Sequence, residues 1–311
     1  MFRTRLNPTK PPAAHRAVLE HVGAGCREFR AAAEAGRIQP HNVDQAREIL
    51  SRHRVFSVGV PVEFGGAGNQ PLLVALAAER LGREGPTALF ALLAHLPAAV
   101  TVAHRGTLEQ KEQYLRAAAA GTGLSGATLR EMESTAAEST AYDNASRHAD
   151  ESILPTDAVL TYRLARAAGS IGRLADCIEV LAEFTAARIQ QEDVVEGNFP
   201  IDRFFAEAAT DLEAARAITY AAAELKAEFD ARPTSEHLKL EASTLVNEAY
   251  FFADKALDRM LARAAETPLD RDSRILDHLP PRHELTWPVE AILDEGPPSM
   301  ENEIARYYLV L

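Results

Sequence analysis

The chain has 311 residues, of which 47% are hydrophobic and 25% are charged, a composition that excludes a disordered protein. Lysine and arginine number 33 against 45 aspartates and glutamates, and the formal charge of −12 argues against nucleic acid or an anionic membrane as the main partner. Two cysteines are too few for a disulfide scaffold and indicate reduced thiols in a cytoplasmic protein. Recurrent alanine runs and only 6% aromatic residues disfavour an all-β fold.

The sequence predicts neither a secretory signal nor a membrane-spanning helix. Its first twelve residues are basic but contain no apolar stretch. The most apolar segment, residues 86–104, is interrupted by His95 and Pro97. Because a bilayer-spanning helix needs about 20 clean apolar residues, we expect a helix buried in the core of a soluble protein.

The first half of the chain predicts helices separated by short turns. Helical patterns cover residues 12–52, with a break at 36–40, and then residues 72–81, 86–105 and 108–120. A short β-branched run, residues 55–61, leads into a glycine-rich turn. Thr107 is the expected N-cap of the last of these helices, and Gln110 three residues later completes a capping box.

The second half predicts a helix bundle after a polar interruption. Residues 131–153 are acidic, rich in serine and threonine and nearly free of large apolar side chains, which indicates a linker or an exposed lid. Apolar residues then recur at helical spacing over residues 157–190, 204–229 and 237–264, and a short helix over 301–309 can close the chain. Long helices joined by short loops are typical of a bundle.

Local motifs of metal or nucleophile chemistry are missing. The sequence has no HExxH, CxxC or GxSxG motif. His278 and His283 would share a metal only in a loop, where solvated side chains are the favoured interpretation, so no metal site is predicted. Cys26 and Cys177 have no local histidine signature and are expected to be small buried residues.

Four segments stand out when they are considered together: PVEFGG at 61–66, GTLEQK at 106–111, a helix running from Arg163 to Arg188, and Glu295-Gly296 ahead of residues 303–306. Their order and spacing resemble the acyl-CoA dehydrogenase superfamily. Residues 168–172 and 214–216 also resemble its bundle helices. The resemblance covers about residues 50–130 and 155–311.

The resemblance implies an all-α chain from which one domain has been lost. The family fold consists of an N-terminal helical domain, a middle β-barrel-like domain and a C-terminal four-helix bundle. Here only about residues 130–154 are available for the middle domain. We therefore expect an N-terminal helical domain at 1–130, a polar linker at 131–154 that replaces the β-domain, and the bundle at 155–311.

The same comparison implies that no cofactor is bound. In the family, FAD lies between the β-domain and the bundle, and residues 128–136 match the flavin- and thioester-contacting stretch poorly. Arg188 remains at the pyrophosphate position, but the Phe and Gly that follow it in the family are replaced, and Glu192 adds negative charge. Arg188 could still hold a phosphate of a substrate carrier; an intra-bundle salt bridge to Glu183 or Glu192 is the favoured alternative.

Two residues are candidates for catalysis through the resemblance. Many family members carry Glu-Gly-Thr between the last two helices, where the Glu removes the α-proton of the thioester; here Glu295-Gly296-Pro297 stands at that place. A base of this kind needs a dry pocket that raises its pKa. An equally favoured interpretation is that Glu295 is an exposed side chain in an acidic, proline-rich loop. Tyr162 occupies the family's alternative base position and could act there as a hydrogen-bond donor or acid, but bundle core is the favoured interpretation.

These features lead to three hypotheses. The first is an enzyme of specialised metabolism that acts on an acyl thioester of CoA or an acyl carrier protein by non-redox isomerisation, dehydration, elimination or cyclisation. Oxidation is excluded there, because without flavin the hydride has no acceptor. The second is a non-catalytic subunit or scaffold that pairs with a full-length relative. The third is a dehydrogenase with FAD shared across a subunit interface. Family members pair through the bundle, so a homodimer or larger oligomer is expected.

Overall fold

The computed structural model describes residues 12–38, 42–125, 128, 156–190 and 199–266. Within these ranges the chain forms the helices α1 (Arg16–Glu34), α2 (Val43–Arg52), α3 (Pro71–Glu84), α4 (Pro86–Arg105), α5 (Leu108–Gln110 and Arg116–Ala120 around a π-helical turn, Lys111–Leu115), α6 (Thr156–Gln190), α7 (Phe199–Ala231) and α8 (Glu236–Glu266). Short 3-10 turns occupy Ala13–His15, Val55–Ser57 and Val62–Phe64. These ranges contain no strand, and the all-α prediction is confirmed for them.

The starts of the helices follow from residues that satisfy or remove free backbone N–H groups. The predicted capping box is present: Gln110 N–H donates to Thr107 Oγ1 at 3.2 Å, and Thr107 N–H donates to Gln110 Oε1 at 2.9 Å. Asn42 caps α2 by accepting from Gln45 N–H at 3.0 Å. Helices α3 and α4 each begin with a proline, which has no N–H to satisfy.

The β-branched run before α3 begins with the 3-10 turn Val55–Ser57 and forms no strand. Val58 makes one isolated bridge to Gly68, and the chain between them turns back on itself. A Cβ on Gly66 would lie 2.1 Å from the carbonyl oxygen of Val60, so a larger residue would force the turn open. Because the turn is this tight, it fixes Asn69 at the entrance to α3.

One apolar core joins the N-terminal helices to the bundle. It contains buried residues of α1 to α4 and of α6 to α8, among them Val22, Leu50, Leu81, Leu92, Leu174, Leu212 and Val246. Helix α5 packs in a second, smaller cluster with the end of α4. Helices α3 and α6 cross within it at backbone distance, since a Cβ on Gly82 would lie 2.2 Å from the Gly169 carbonyl oxygen, and one on Gly172 would lie 2.1 Å from that of Glu79. The two helices therefore hold the N-terminal part firmly against the bundle.

The predicted apolar helix, α4, lies in this core. Thr87–Arg105 is long and apolar enough to cross a membrane by length and composition, but 78% of its most apolar window is buried inside the protein. His95 is fully buried there, with Leu124 N–H donating to Nδ1 at 3.1 Å and Nε2 lying 3.2 Å from the Val58 carbonyl oxygen. Burial lowers the pKa of His95 to about 4, so its imidazole is a neutral structural bridge.

The bundle is described for its three long helices. Helices α7 and α8 are joined by a short loop at 232–235, and both pack against α6. Helix α7 begins at Phe199, five residues before the predicted start, because the helix continues through Pro200 near its N-terminus, where proline is tolerated. The predicted linker at 131–154 and the closing helix at 301–309 lie outside the described residues.

Candidate functional site

The structure places some of the candidate site residues named from the sequence, and others lie outside the described residues. Glu295 lies outside the described residues, and its role as a base stays a prediction. Tyr162 lies on α6 with 1% of its surface exposed, within the apolar core. Arg188 lies in the last turn of α6, and its side chain is outside the described part. The two cysteines are buried as predicted, and burial raises the pKa of Cys26 to about 12 and that of Cys177 to about 11.

Arg216 belongs to a buried ion pair between α7 and α3. Its guanidinium lies 2.8 Å from Glu79 Oε1, and both side chains are almost completely buried. Tyr220 donates to the other carboxylate oxygen of Glu79, and Glu213 approaches Arg216 at 3.0 Å. Burial, followed by the Glu79 charge, raises the pKa of Tyr220. This group is satisfied within the protein and connects the N-terminal helices to the bundle, so the interpretation of Arg216 is structural.

A second buried polar layer joins α6 to α8. Arg163 donates to Asn247 Oδ1 at 2.6 Å, and Arg166 lies 3.3 Å from Asp254 Oδ2. Ser170 also donates to Asp254, and the Arg166 guanidinium lies over the Tyr250 ring. These contacts fix the two helices in register next to Tyr162.

A mixed-charge group, here named the Asp157 cluster, lies where α4, α6 and α7 meet the turn before α3. It consists of Asn69, His104, Asp157, Lys226 and Asp230. His104 Nε2 lies 3.0 Å from Asp157 Oδ2, and Lys226 donates to Asp157 Oδ1. The Lys226 ammonium also lies 2.9 and 3.1 Å from the two oxygens of Asp230. Asn69 Nδ2 approaches Asp157 Oδ2 at 3.5 Å.

The Asp157 cluster runs from solvent into the core. The exposed fraction of the side chain is 52% for His104, 16% for Asp157 and 1% for Lys226. Asp230, one helical turn after Lys226, is 29% exposed. An imidazole that reaches solvent is therefore backed by a sheltered carboxylate and a buried ammonium.

Segments far apart in the chain position this cluster. Asn69 ends the turn that begins with PVEFGG, and His104 lies just before the GTLEQK segment that opens α5. Asp157 is in the first turn of α6, where the helix dipole favours a carboxylate.

The groups of the Asp157 cluster shift one another's pKa values. Burial alone would raise the pKa of Asp157, but hydrogen bonds from His104 and Lys226 and the lysine charge outweigh it and lower that pKa to about 2. The hydrogen bond to Asp157 raises the pKa of His104 against the opposing effect of burial. Burial raises the pKa of the Asp230 carboxyl. Asp157 is therefore ionised throughout the physiological range and orients an imidazole that is more basic than usual.

This arrangement has the parts of an acid–base site. A histidine that shares a hydrogen bond with a held carboxylate has one fixed nitrogen, and its other nitrogen can exchange a proton. Within the described ranges, no group of three or more histidine, cysteine, aspartate or glutamate side chains is arranged to hold a metal ion.

No sequence pattern predicted the Asp157 cluster. His104 closes an apolar helix, Asp157 is one of many acidic residues, and Lys226 lies in an ordinary mixed stretch of α7. A local signal exists only for Lys226 and Asp230, which have the spacing of a helical ion pair. The remaining contacts span between 53 and 88 positions along the chain, which no local pattern can reveal.

A glycine pattern that begins at the end of α5 has the spacing of a dinucleotide-binding motif but not its context. Residues 121–126 read Gly-Thr-Gly-Leu-Ser-Gly. The motif binds a pyrophosphate when it follows a strand and opens a helix. Here Gly121 follows helix α5 and ends it, so the pattern gives no support for a dinucleotide site.

Comparisons with known proteins agree with this architecture. The family model of the acyl-CoA dehydrogenase N-terminal domain matches residues 13–122, and that of the acyl-CoA dehydrogenase C-terminal domain matches residues 156–271. No curated protein matches the chain in sequence. Among solved structures, one described as "Apo-form PigA" aligns over 97% of this chain and 99% of that chain, with a TM-score of 0.58 and 14% identity, a likeness of fold alone.

The two matches cover most of the chain and leave only residues 123–155 between them. That length and the helical character of the described residues are consistent with a lost middle domain. The protein belongs to the acyl-CoA dehydrogenase family, as a variant that lacks the middle β-domain.

Proposed function

We propose that the protein acts on an acyl thioester, carried by CoA or an acyl carrier protein, through proton transfer without flavin. The observation that carries the proposal is the interval between the two matched domains, residues 123–155. A β-domain of ordinary size needs about 100 residues. The family places FAD between that domain and the bundle. One of the two surfaces that enclose FAD in the family is therefore missing from this chain.

The residues that remain also fit FAD poorly. The stretch at 128–136 and the residues after Arg188 depart from the family pattern, and Glu192 adds a negative charge near a would-be phosphate.

The chemistry that remains is that of an acid or base next to an activated carbon. A thioester carbonyl acidifies its α-hydrogen, because the electron pair left by the proton delocalises onto the carbonyl oxygen. Glu295 would accept this proton. A dry pocket around the Glu295 carboxylate would raise its pKa and make it a stronger base. The outcome is isomerisation, elimination, dehydration or cyclisation, according to where the electron pair moves. The proposal includes a cytoplasmic homo-oligomer that pairs through the bundle, in specialised metabolism.

Hydrogen exchange tests the proposal without knowledge of the natural substrate. The purified protein would be incubated with butyryl-CoA and vinylacetyl-CoA in heavy water, and deuterium at the α-carbon would be measured by mass spectrometry. We expect exchange by the wild type and a loss of about 100-fold in Glu295→Gln, because a general base contributes at least that factor. Glu290→Gln, which removes a neighbouring carboxylate, serves as the matched control and keeps the wild-type rate.

Two results would overturn the proposal. Wild-type protein that exchanges no α-hydrogen with either thioester would favour the scaffold hypothesis. Equal exchange in wild type and Glu295→Gln would remove Glu295 from the role of base.

A further inference from the structure

The α3–α6 crossing, the Arg216–Glu79 ion pair and the Asp157 cluster each join the N-terminal helices α1–α5 to the bundle. The crossing is made by glycine backbones, and the ion pair is almost completely buried. The Asp157 cluster contains His104, whose side chain is 52% exposed. Because histidine ordinarily changes its charge at about pH 6.5, this third contact can respond to pH in the neutral range.

We propose that the Asp157 cluster is a pH-sensitive joint between the N-terminal helices and the bundle. Protonated His104 closes the joint by bonding the end of α4 to the first turn of α6, and loss of that proton loosens it. This role does not depend on the chemistry proposed above.

The bonding partner of His104 distinguishes it from the other histidines. Among the histidines whose side-chain bonds the structure describes, His104 alone reaches from the N-terminal helices to the bundle. The bonds of the others stay within one part of the molecule: those of His15, His53 and His95 in the N-terminal part and that of His237 in α8. A change of charge on His104 therefore acts directly between the two parts.

The charges of the cluster balance only while His104 carries its proton. The imidazolium and the Lys226 ammonium then face the carboxylates of Asp157 and Asp230. From the turn before α3, the neutral amide of Asn69 approaches the cluster. Without the proton on His104, two carboxylates share one ammonium, and one of them, Asp157, is only 16% exposed. Since a sheltered carboxylate is unfavourable without full compensation, the contact weakens.

The position of Asp157 makes the start of α6 the element that responds. Asp157 is the second residue of the helix and lies in its first turn. His104 holds this turn from α4 at 3.0 Å, and Lys226 holds it from α7. Helix ends open more readily than the core, so a weaker contact with His104 frays the first turn of α6 before it affects the rest of the bundle.

The direction of the effect follows from the pKa of His104. The hydrogen bond to Asp157 and the charges of Asp157 and Asp230 raise this pKa above its ordinary 6.5, against burial and the Lys226 charge. The contribution to stability is therefore complete below pH 6.5, and it is lost as the pH rises through the pKa of the folded protein. Asp157, with a pKa of about 2, stays ionised over this range.

Amide hydrogen exchange at the start of α6 tests the joint. The helical partners of the N–H groups at 160–162 are the carbonyls of residues 156–158, so protection of these amides reports on the first turn. Their exchange would be measured by mass spectrometry from about pH 6 to about pH 9 and corrected for its intrinsic pH dependence. An NMR titration of the imidazole gives the His104 pKa. We expect protection to fall about two- to fivefold with its midpoint at that pKa, the effect of a half-exposed ion pair.

Variants assign the response to the pair. His104→Gln cannot gain a charge, and we expect low protection at every pH without a step. His53→Gln removes the histidine–carboxylate pair with Glu28 within the N-terminal helices, and as the matched control it keeps the step. In Asp157→Asn we expect the His104 pKa to fall, because Lys226 remains nearby while the carboxylate that bonds the imidazole is gone. Circular dichroism melting establishes that each variant is folded.

The wild-type protein alone can overturn the inference. Protection at 160–162 that stays constant with pH, rises with pH, or changes at a midpoint away from the His104 pKa would do so. A step that survives in folded His104→Gln would assign the pH response to another group and would also overturn it. If His104→Gln does not fold, the comparison of the two midpoints in the wild type decides.

Discussion

At the scale of single residues, the buried ammonium of Lys226 depends most on its partners, because a buried charge needs neighbouring counter-charges. It is 1% exposed and contacts the carboxylates of Asp157 and Asp230. Removal of one partner from such a group leaves the others uncompensated, which costs far more than the loss of a surface pair. Because both carboxylates retain some exposure, the cost is smaller than for a fully buried pair.

We therefore expect Lys226→Met to lower the free energy of unfolding by about 2–4 kcal/mol. Urea unfolding followed by circular dichroism measures it. Lys239→Met is the control, because Lys239 is 43% exposed and lies 3.8 Å from Glu236, a surface pair worth less than about 1 kcal/mol. Equal stability of the two variants would contradict the assignment of Lys226 to a buried network.

His95 gives a prediction for the dependence of stability on pH. Its pKa is about 4 in the folded protein and 6.5 in the unfolded chain. Below pH 6.5 the unfolded chain binds a proton that the folded protein does not, so stability falls as the pH decreases from 6.5 to 4. The shift corresponds to about 3 kcal/mol.

A variant that cannot titrate isolates this effect. His95→Asn should be less stable at neutral pH, since the bridge from Leu124 to Val58 is weakened. Between neutral pH and pH 4 it should lose about 3 kcal/mol less than the wild type in urea unfolding. Parallel stability curves for the two proteins would show that His95 titrates normally in the fold.

Individual residues were predictable from the sequence only where their partners are local. The capping box of Thr107 and Gln110 was found because both members lie in one helical turn. His104 and Asp157 were missed because 53 positions separate them and no periodicity connects the two. Glu295 was named through family resemblance, which places a residue in a role without showing its surroundings.

At the scale of elements, the crossing of α3 and α6 fixes the relation between the two parts of the chain. Gly82, Gly169 and Gly172 let the two backbones touch. Gly172→Ala would place a methyl group 2.1 Å from the Glu79 carbonyl oxygen, and backbone cannot yield as a side chain can. The helices would have to separate along the whole shared core.

We expect Gly172→Ala to lower the free energy of unfolding by about 3 kcal/mol or more. Gly23→Ala is the matched control: a Cβ there meets only arginine side-chain atoms at 3.5 and 4.0 Å, and alanine favours the helix by about 1 kcal/mol. Urea unfolding of both variants measures the difference. A Gly172→Ala protein as stable as the control would mean that the helices do not approach so closely.

The helices themselves were predictable, and the exceptions have physical causes. Long amphipathic patterns placed α6 and α8 within a residue or two of their observed ends, because packing on a core repeats at helical spacing. The β-branched run at 55–61 forms no strand. Val55–Ser57 is a 3-10 turn, and positive-φ glycines at 59, 65 and 68 turn the chain that follows.

At the scale of the whole molecule, the chain keeps two domains of the acyl-CoA dehydrogenase family and lacks the third. The shared core and the α3–α6 crossing make the remaining domains one packed unit. The full chain carries a formal net charge of −12, which is unfavourable for an anionic dinucleotide. We therefore propose a connection between the missing domain, the loss of FAD binding and proton-transfer chemistry.

The visible absorption spectrum is the most direct test of that connection. The protein would be purified from cells supplied with excess riboflavin, and its spectrum would be recorded before and after titration with FAD. We predict no flavin bands in the purified protein and no spectral change that saturates with FAD. Flavin bands at one equivalent per chain or per dimer would contradict the account and establish a dehydrogenase whose FAD is shared between subunits.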